Sequence, residues 1–276
     1  MIEVNKISFS YGKSLVLKDI SFQLEDGKIY GLLGENGVGK TTLLTLLSGL
    51  KICQEGTINV DGFKPFDRKP SFLSNQYFLS DDVAPVNMSA IAFAKNYGKF
   101  WVNFSLDKFK EIMQLFDNDL NQNMSKMSAG QLKKSYIAFA LACNCKYLYM
   151  DEPTNGLDIP SKALFRKALL QYVSEDSTVL ISTHQVRDLE NVIDPIIILD
   201  NKDVLLNATV DEISQKLYFD YSNTLKDNAL YKEITPGGSV QVLVNQDGAD
   251  SKVNLEALFN AVQANKTMIK EMFNSK

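Results

Sequence analysis

Twelve residues, GLLGENGVGKTT at positions 31 to 42, leave this chain few ways to fold. They follow a short continuous apolar run, Ile29 to Leu33, and open a helical pattern from Thr41 to Leu50. Gly34, Gly39, Lys40 and Thr41 therefore satisfy G-x-x-x-x-G-K-[ST] in the strand–loop–helix context that the motif requires. Glycines tolerate backbone angles that aim successive N–H groups at one point, which makes an anion nest. The helix N-terminus adds roughly half a positive charge at the same place. Lys40 reaches the outer phosphates and the Thr41 hydroxyl coordinates Mg²⁺, with Asn36, Gly37 and Thr42 completing the binding loop. Such a loop binds a nucleoside triphosphate.

The remaining pattern gives the fold class. The stretches IEVNKISFSYG and LVLKDISFQLEDGKI alternate and end in turns, which predicts an antiparallel β subdomain at the N-terminus. GTINVDG adds another strand. The apolar runs KYLYM, STVLIS and PIIILD, with helical segments before and between them, predict a parallel sheet with crossover connections. From about 84 to 127 the β pattern stops, and Phe93, Tyr97, Phe100 and Phe104 recur at helical spacing beside Trp101. This predicts a helical insertion whose aromatic stripe packs a small core of its own. Beyond Thr209 the style changes again. Val240, Val242 and Val244 alternate, and Leu255, Leu258, Phe259 and Val262 line one face of a helix. The expectation is an α/β P-loop NTPase core over residues 1–209 and a small α+β appendage over 210–276.

Composition narrows the partners. The 276 residues carry a net charge of −4, which argues against a nucleic-acid footprint. No apolar run approaches the roughly 18 residues of a membrane span. A strand pattern beginning almost at Met1 predicts no secretory signal. Three cysteines, Cys53, Cys143 and Cys145, lack framework spacing and suit a reducing, cytoplasmic compartment.

Three further motifs bear on chemistry. In YLYMDEPTNGLD, Asp151 ends an apolar strand where its carboxylate can hold a Mg²⁺ shell, and Glu152 can take a proton from an attacking water. In MSAGQLKK, Ser128 and Gln131 form a capping box, and a capped helix start beside a glycine also suits phosphate. VLISTHQ, residues 179 to 185, holds the only histidine, His184, at the tip of a buried strand.

The order P-loop, SAGQ, YLYMDEP, NGLD, STHQ resembles the nucleotide-binding subunit of an ATP-binding cassette (ABC) transporter over about residues 1 to 210. The resemblance implies an ATPase that uses ATP and Mg²⁺, works as a homo- or heterodimer and drives a separate transmembrane permease. It further implies a place on the cytoplasmic face of the cell membrane and no nucleic-acid partner. Tyr11 would stack on adenine. Gln76, or its neighbour Asn75, would be the glutamine that touches Mg²⁺ and the γ-phosphate side. Ser128, Gly130 and Gln131 would contact ATP held by a second subunit, Asp158 would lie in the loop crossing between subunits, and His184 would bond the γ-phosphate. Two features depart from the family: Ala129 stands where a second glycine is usual, and the glutamine loop is stretched and lacks its usual proline. The rival reading is a soluble cassette ATPase acting on ribosomes or DNA. Ribosomal members usually carry two cassettes and DNA-repair members long coiled coils, and this sequence has neither. A P-loop GTPase or kinase is disfavoured by the signature and by the lack of an N-K-x-D motif downstream of the loop.

Overall fold

The computed structural model describes residues 1–274. Strands β1 (Ile2–Tyr11) and β2 (Ser14–Leu24) form the antiparallel pair that the alternation predicts. The alternation slips by one between Val4 and Ile7, where a bulge at Lys6 (φ 50°) keeps Ile2, Val4, Ile7 and Phe9 all buried. After β3 (Ile29–Leu33) and α1 (Lys40–Leu47), β4 (Glu55–Val60) pairs with the other edge of β1.

The chain continues through α2 (Pro70–Leu73), β5 (Gln76–Leu79), α3 (Ala90–Tyr97), α4 (Leu106–Leu115), α5 (Ala129–Ala142), β6 (Tyr147–Asp151), α6 (Ile159–Tyr172), β7 (Thr178–Thr183), β8 (Ile196–Asp200) and β9 (Asp203–Ala208). The central sheet has the order β5-β6-β7-β3-β8-β9, parallel except for β9. Its inner strands are buried on both faces, as parallel sheets are. Alternate residues serve two cores. Tyr30, Leu32, Tyr149, Leu180 and Ile197 pack toward α1 and the N-terminal sheet; Leu33, Leu148, Met150, Ile181 and Ile198 pack toward α5 and α6.

The helical insertion does not keep a core of its own. Phe93, Phe109, Ile112, Met113 and Phe116 belong to the same apolar cluster as α5 and the sheet. The reason is Phe139 on α5. Its ring meets Tyr77 of β5 at 5.7 Å and Phe93, Trp101 and Phe104 of the insertion at 4.9, 5.5 and 5.3 Å. Trp101 Nε1 also donates to the Gln76 carbonyl at 2.8 Å, fixing the insertion to the sheet edge. Two members of the stripe turn outward, Phe100 at 62% exposed and Tyr97 at 40%.

The C-terminal region comprises α7 (Val210–Lys216), strands β10 (Leu217–Ser222), β11 (Tyr231–Thr235) and β12 (Gly238–Val244) in the antiparallel order β10-β12-β11, then α8 (Leu255–Ala264) and α9 (Lys266–Asn274). Leu255, Leu258 and Val262 of α8 join the main core. Ion pairs Lys266–Asp200 (2.6 Å) and Lys270–Asp203 tie α9 to the β8–β9 turn, and Arg187 Nε donates to Glu256 of α8 at 2.5 Å.

Because one ring joins insertion, α5 and β5, Phe139→Ala is expected to destabilise the whole chain by about 3–5 kcal/mol. Urea unfolding measures this, and a loss under about 1 kcal/mol would mean that the insertion is packed independently.

Candidate active site

Parallel register brings the chemistry together. Thr183 of β7 sits opposite Leu33 of β3, and Ser182 opposite Asp151 of β6, so the ends of three strands meet beside the phosphate loop. The loop itself is shaped by two glycines. A Cβ at Gly34 would stand 2.6 Å from the Leu199 carbonyl oxygen of β8, so only glycine lets the loop leave the sheet here. Gly39, with φ 113°, takes a backbone turn that side chains disfavour and caps α1.

Lys40 is buried and donates to the carbonyls of Gly34 (2.8 Å) and Glu35 (3.1 Å), with the Glu152 carboxylate 3.4 Å away. Thr41 Oγ1 donates to Asp151 Oδ2 at 2.6 Å, and Ser182 Oγ donates to Asp151 Oδ1 at 2.5 Å. A hydroxyl and a carboxylate oxygen adjoining a phosphate loop are the hard donors that Mg²⁺ takes, so these residues fit the ion.

Glu152 is 9% exposed and adopts the left-handed φ of 43°. Its N–H points at both Ser182 O and Ser182 Oγ, each 3.1 Å away. Oε2 accepts the His184 amide at 3.3 Å and lies 2.9 Å from His184 Nδ1. Oε1 is buried, accepts no hydrogen bond, and is the oxygen that faces Lys40 Nζ at 3.4 Å. A buried carboxylate oxygen with an open lone pair is costly unless something comes to fill it.

Beside these groups opens a cavity of about 520 Å³, a size typical of small-molecule sites; His184 stands behind Glu152 and does not line it. Tyr11, Asn36, Gly37, Gly39, Lys40, Thr41, Thr42, Asp151 and Glu152 all line it. Tyr11 stands at its mouth, half exposed, with its hydroxyl 3.3 Å from Thr42 Oγ1 and Lys51 Nζ 4.8 Å from its ring centroid.

Gln76 is not part of this site. It opens β5 opposite Tyr147, the first residue of β6, whereas Asp151 is the last. At about 3.3 Å per residue that separates it from the acidic pair by roughly 13 Å along the sheet. Its amide is buried and donates to the Ser48 carbonyl at 3.2 Å. Asn75 lies at the same far end and donates to Ser71 O. The strand end that reaches the cavity carries Ser80, Asp81 and Asp82, all lining it. A signal for this was present: YFLSDD is a short apolar run ending in acids, like YLYMDE.

The other predicted residues lie outside the cavity. Ser128, exposed, caps α5, with Ser128 Oγ accepting from the Gln131 amide (3.3 Å) and Gln131 Oε1 accepting from the Ser128 amide (2.9 Å). Gly130 is near the Gly156 carbonyl of the NGLD turn. Asp158 caps α6, and the hydroxyl and amide of Ser161 hold its carboxyl below the usual carboxylate range.

The ABC transporter family model matches residues 17–155. An uncharacterised ABC transporter ATP-binding protein of Methanocaldococcus jannaschii is 26% identical over 272 residues, covering 94% of this chain and 95% of its own. The ATP-binding protein of a zinc uptake system in Listeria innocua is 30% identical over 229 residues, 79% of this chain and 89% of its own. A dimeric ATP-binding cassette in a post-hydrolysis state bound to ADP and Pi superposes with a TM-score of 0.66 at 20% identity, covering 76% of this chain and 98% of that one. Strand order, phosphate loop and family match agree: this chain belongs to the ABC transporter ATP-binding family, binding and hydrolysing ATP to drive transport through a separate permease.

Proposed function

We propose that two cassettes, this chain with a copy or a homologue, close over ATP so that each nucleotide lies between the phosphate loop of one and Ser128, Gly130 and Gln131 of the other. The exposed, capped start of α5 supports this, since first-turn N–H groups have no carbonyl partner within the helix. Asp158, also exposed, lies in the loop that crosses between the subunits. Residues 1–209 form the hydrolytic unit and residues 210–276 an accessory region braced behind the segment that follows His184.

Within one site Lys40 turns from its two carbonyls to the outer phosphates, and Tyr11 offers its ring to the base. Thr41 and Asp151 would hold Mg²⁺, which when bound would supply positive charge against the phosphates. Glu152 Oε1, buried with no hydrogen bond and faced only by Lys40 at 3.4 Å, carries the reading: with Lys40 turned to the phosphates, it accepts a proton from the water whose oxygen bonds the γ-phosphorus as ADP leaves. His184 fixes the other carboxylate oxygen through Nδ1 and reaches the γ-phosphate through Nε2.

No described helix is long and apolar enough to cross a membrane. The subunit is held on the cytoplasmic face by its permease, with the exposed edge of the insertion around Phe100 and Val102 as the docking side. Co-expressed with its permease the chain is expected to move from the soluble to the membrane fraction, and to leave detergent as a complex with faster ATP turnover. Recovery on ribosomes or DNA would refute this.

Glu152→Gln is expected to keep ATP binding, to lower hydrolysis by about 10²–10⁴-fold, and to accumulate dimers with Mg-ATP in light scattering. Monomers alone, with binding intact, would exclude the shared site. His184→Ala is expected to lower turnover at least about tenfold while ATP affinity stays within a few fold, because its phosphate contact matters most as charge moves in the transition state. Steady-state rates together with calorimetric affinities measure both.

A further inference from the structure

The end of β5 that reaches the cavity leads into Asp81, and none of the oxygens of Asp81 is idle. Lys133 Nζ donates to the Asp81 carbonyl at 2.6 Å and to Oδ1 at 3.1 Å. Asn155 Nδ2 donates to Oδ1 at 3.3 Å and to Oδ2 at 3.1 Å. Lys133 is 4% exposed, and a buried ammonium is strongly disfavoured without a carboxylate, so this contact is a fixed pin.

The three residues come from separate segments. Asp81 follows β5 and lines the nucleotide cavity. Lys133 lies on α5, five positions after Ser128. Asn155 lies three positions after Glu152, in a turn closed by its own amide on the Glu152 carbonyl at 3.1 Å. One carboxylate therefore sets the distance between the cavity wall, the helix that presents Ser128 and the loop that carries Glu152.

We propose that Asp81 is a positioning residue for ATP hydrolysis, its Lys133–Asn155 knot holding Ser128 and Glu152 in the relative placement that turnover needs. Although it lines the cavity, its hydrogen bonds go to Lys133 and Asn155 and leave its carboxylate engaged, so it acts on turnover more than on the affinity of the single chain for nucleotide. A displacement of about 1 Å at a reacting group can cost up to 10²-fold in rate, so a tenfold effect from a loosened pin is in scale. The inference rests on the shared two-cassette site proposed above.

The test compares the full chain with Asp81→Asn, Asn155→Ala, Lys133→Met, Lys133→Arg and the double variant Asp81→Asn/Lys133→Met. Three quantities are read: kcat for Mg-ATP, affinity for ATP, and dimer formation in the Glu152→Gln background. Asp81→Asn and Lys133→Met are expected to lower kcat about tenfold and Asn155→Ala about threefold, with affinity within twofold. The double variant falls no lower than the worse single, because both remove one interaction. Lys133→Arg recovers at least half of the wild-type rate. Asn155 is exposed, so its variant folds and, with Asp81→Asn, carries the test if the Lys133→Met chain does not fold. Turnover within twofold of wild type in Asp81→Asn and Asn155→Ala, or a loss in affinity equal to the loss in rate, or additive losses in the double variant, would each overturn the proposal. If Glu152→Gln alone forms no dimers, the shared site fails, while the split between kcat and affinity still decides the role of Asp81.

Discussion

The carboxylate of Asp151 is the contact on which the rest of the site depends. It accepts from Thr41 on one side and from Ser182 on the other, and so joins the ends of β6 and β7 to the first turn of α1. Both donors are short hydroxyl side chains, and Thr41 is also stiff at χ1 because it is β-branched, so the triad fixes the phosphate loop against the sheet. The parallel register makes this possible, because Ser182 and Asp151 are direct partners across β6 and β7. A shift of one residue would turn Asp151 into a core face and Met150 toward the loop. The two apolar cores, served by alternate residues of the same strands, oppose such a shift from both sides.

The strain at Glu152 follows from that anchoring. A left-handed φ costs a non-glycine residue about 1–2 kcal/mol. Here it turns the chain sharply after Asp151, so that consecutive carboxylates point to different tasks, one to the metal donors and one to Lys40 and His184. The bond from its N–H to Ser182 holds the bend. Ser182 thus supports both acids, through its hydroxyl to one and its carbonyl to the other.

What was legible in the sequence was chemistry carried on contiguous motifs. The phosphate loop, the acidic pair and His184 sit at strand ends, and a short apolar run followed by polar residues announces each. What was not legible depends on partners far away along the chain. β5 is four residues long and preceded by polar ones, so a glutamine was easier to see than the strand it opens. The position of Gln76 became clear only from its pairing with Tyr147. The aromatic stripe showed helical spacing, but nothing local revealed that Phe139 would draw it into the main core. Strands β10 and β11 carry charged and polar residues between their apolar ones and meet a partner only in β12. His184 was unusual by count; its meaning came from Glu152, 32 residues earlier.

That last separation explains why one imidazole suffices. Behind His184 the chain is held by a second polar network: Lys162 of α6 donates to Gln185 at 2.8 Å and pairs with Asp188 at 2.7 Å, and Asp188 also accepts from Thr154 at 3.0 Å. Thr154 is two residues after Glu152, so the loop carrying the acid and the segment carrying the imidazole are tied at both ends. Between the ties lies the direct contact of Nδ1 with Oε2. A second histidine would add nothing to a ring already placed by its neighbours on both sides. On the far side Arg187 meets Glu256 of α8, so the C-terminal region braces the outer wall of the same segment. In the proposed reaction His184 meets the γ-phosphate from a segment whose neighbouring side chains, Gln185, Arg187 and Asp188, are each held by a separate partner. On that proposal, loss of the phosphate would change what the ring touches without changing where it stands.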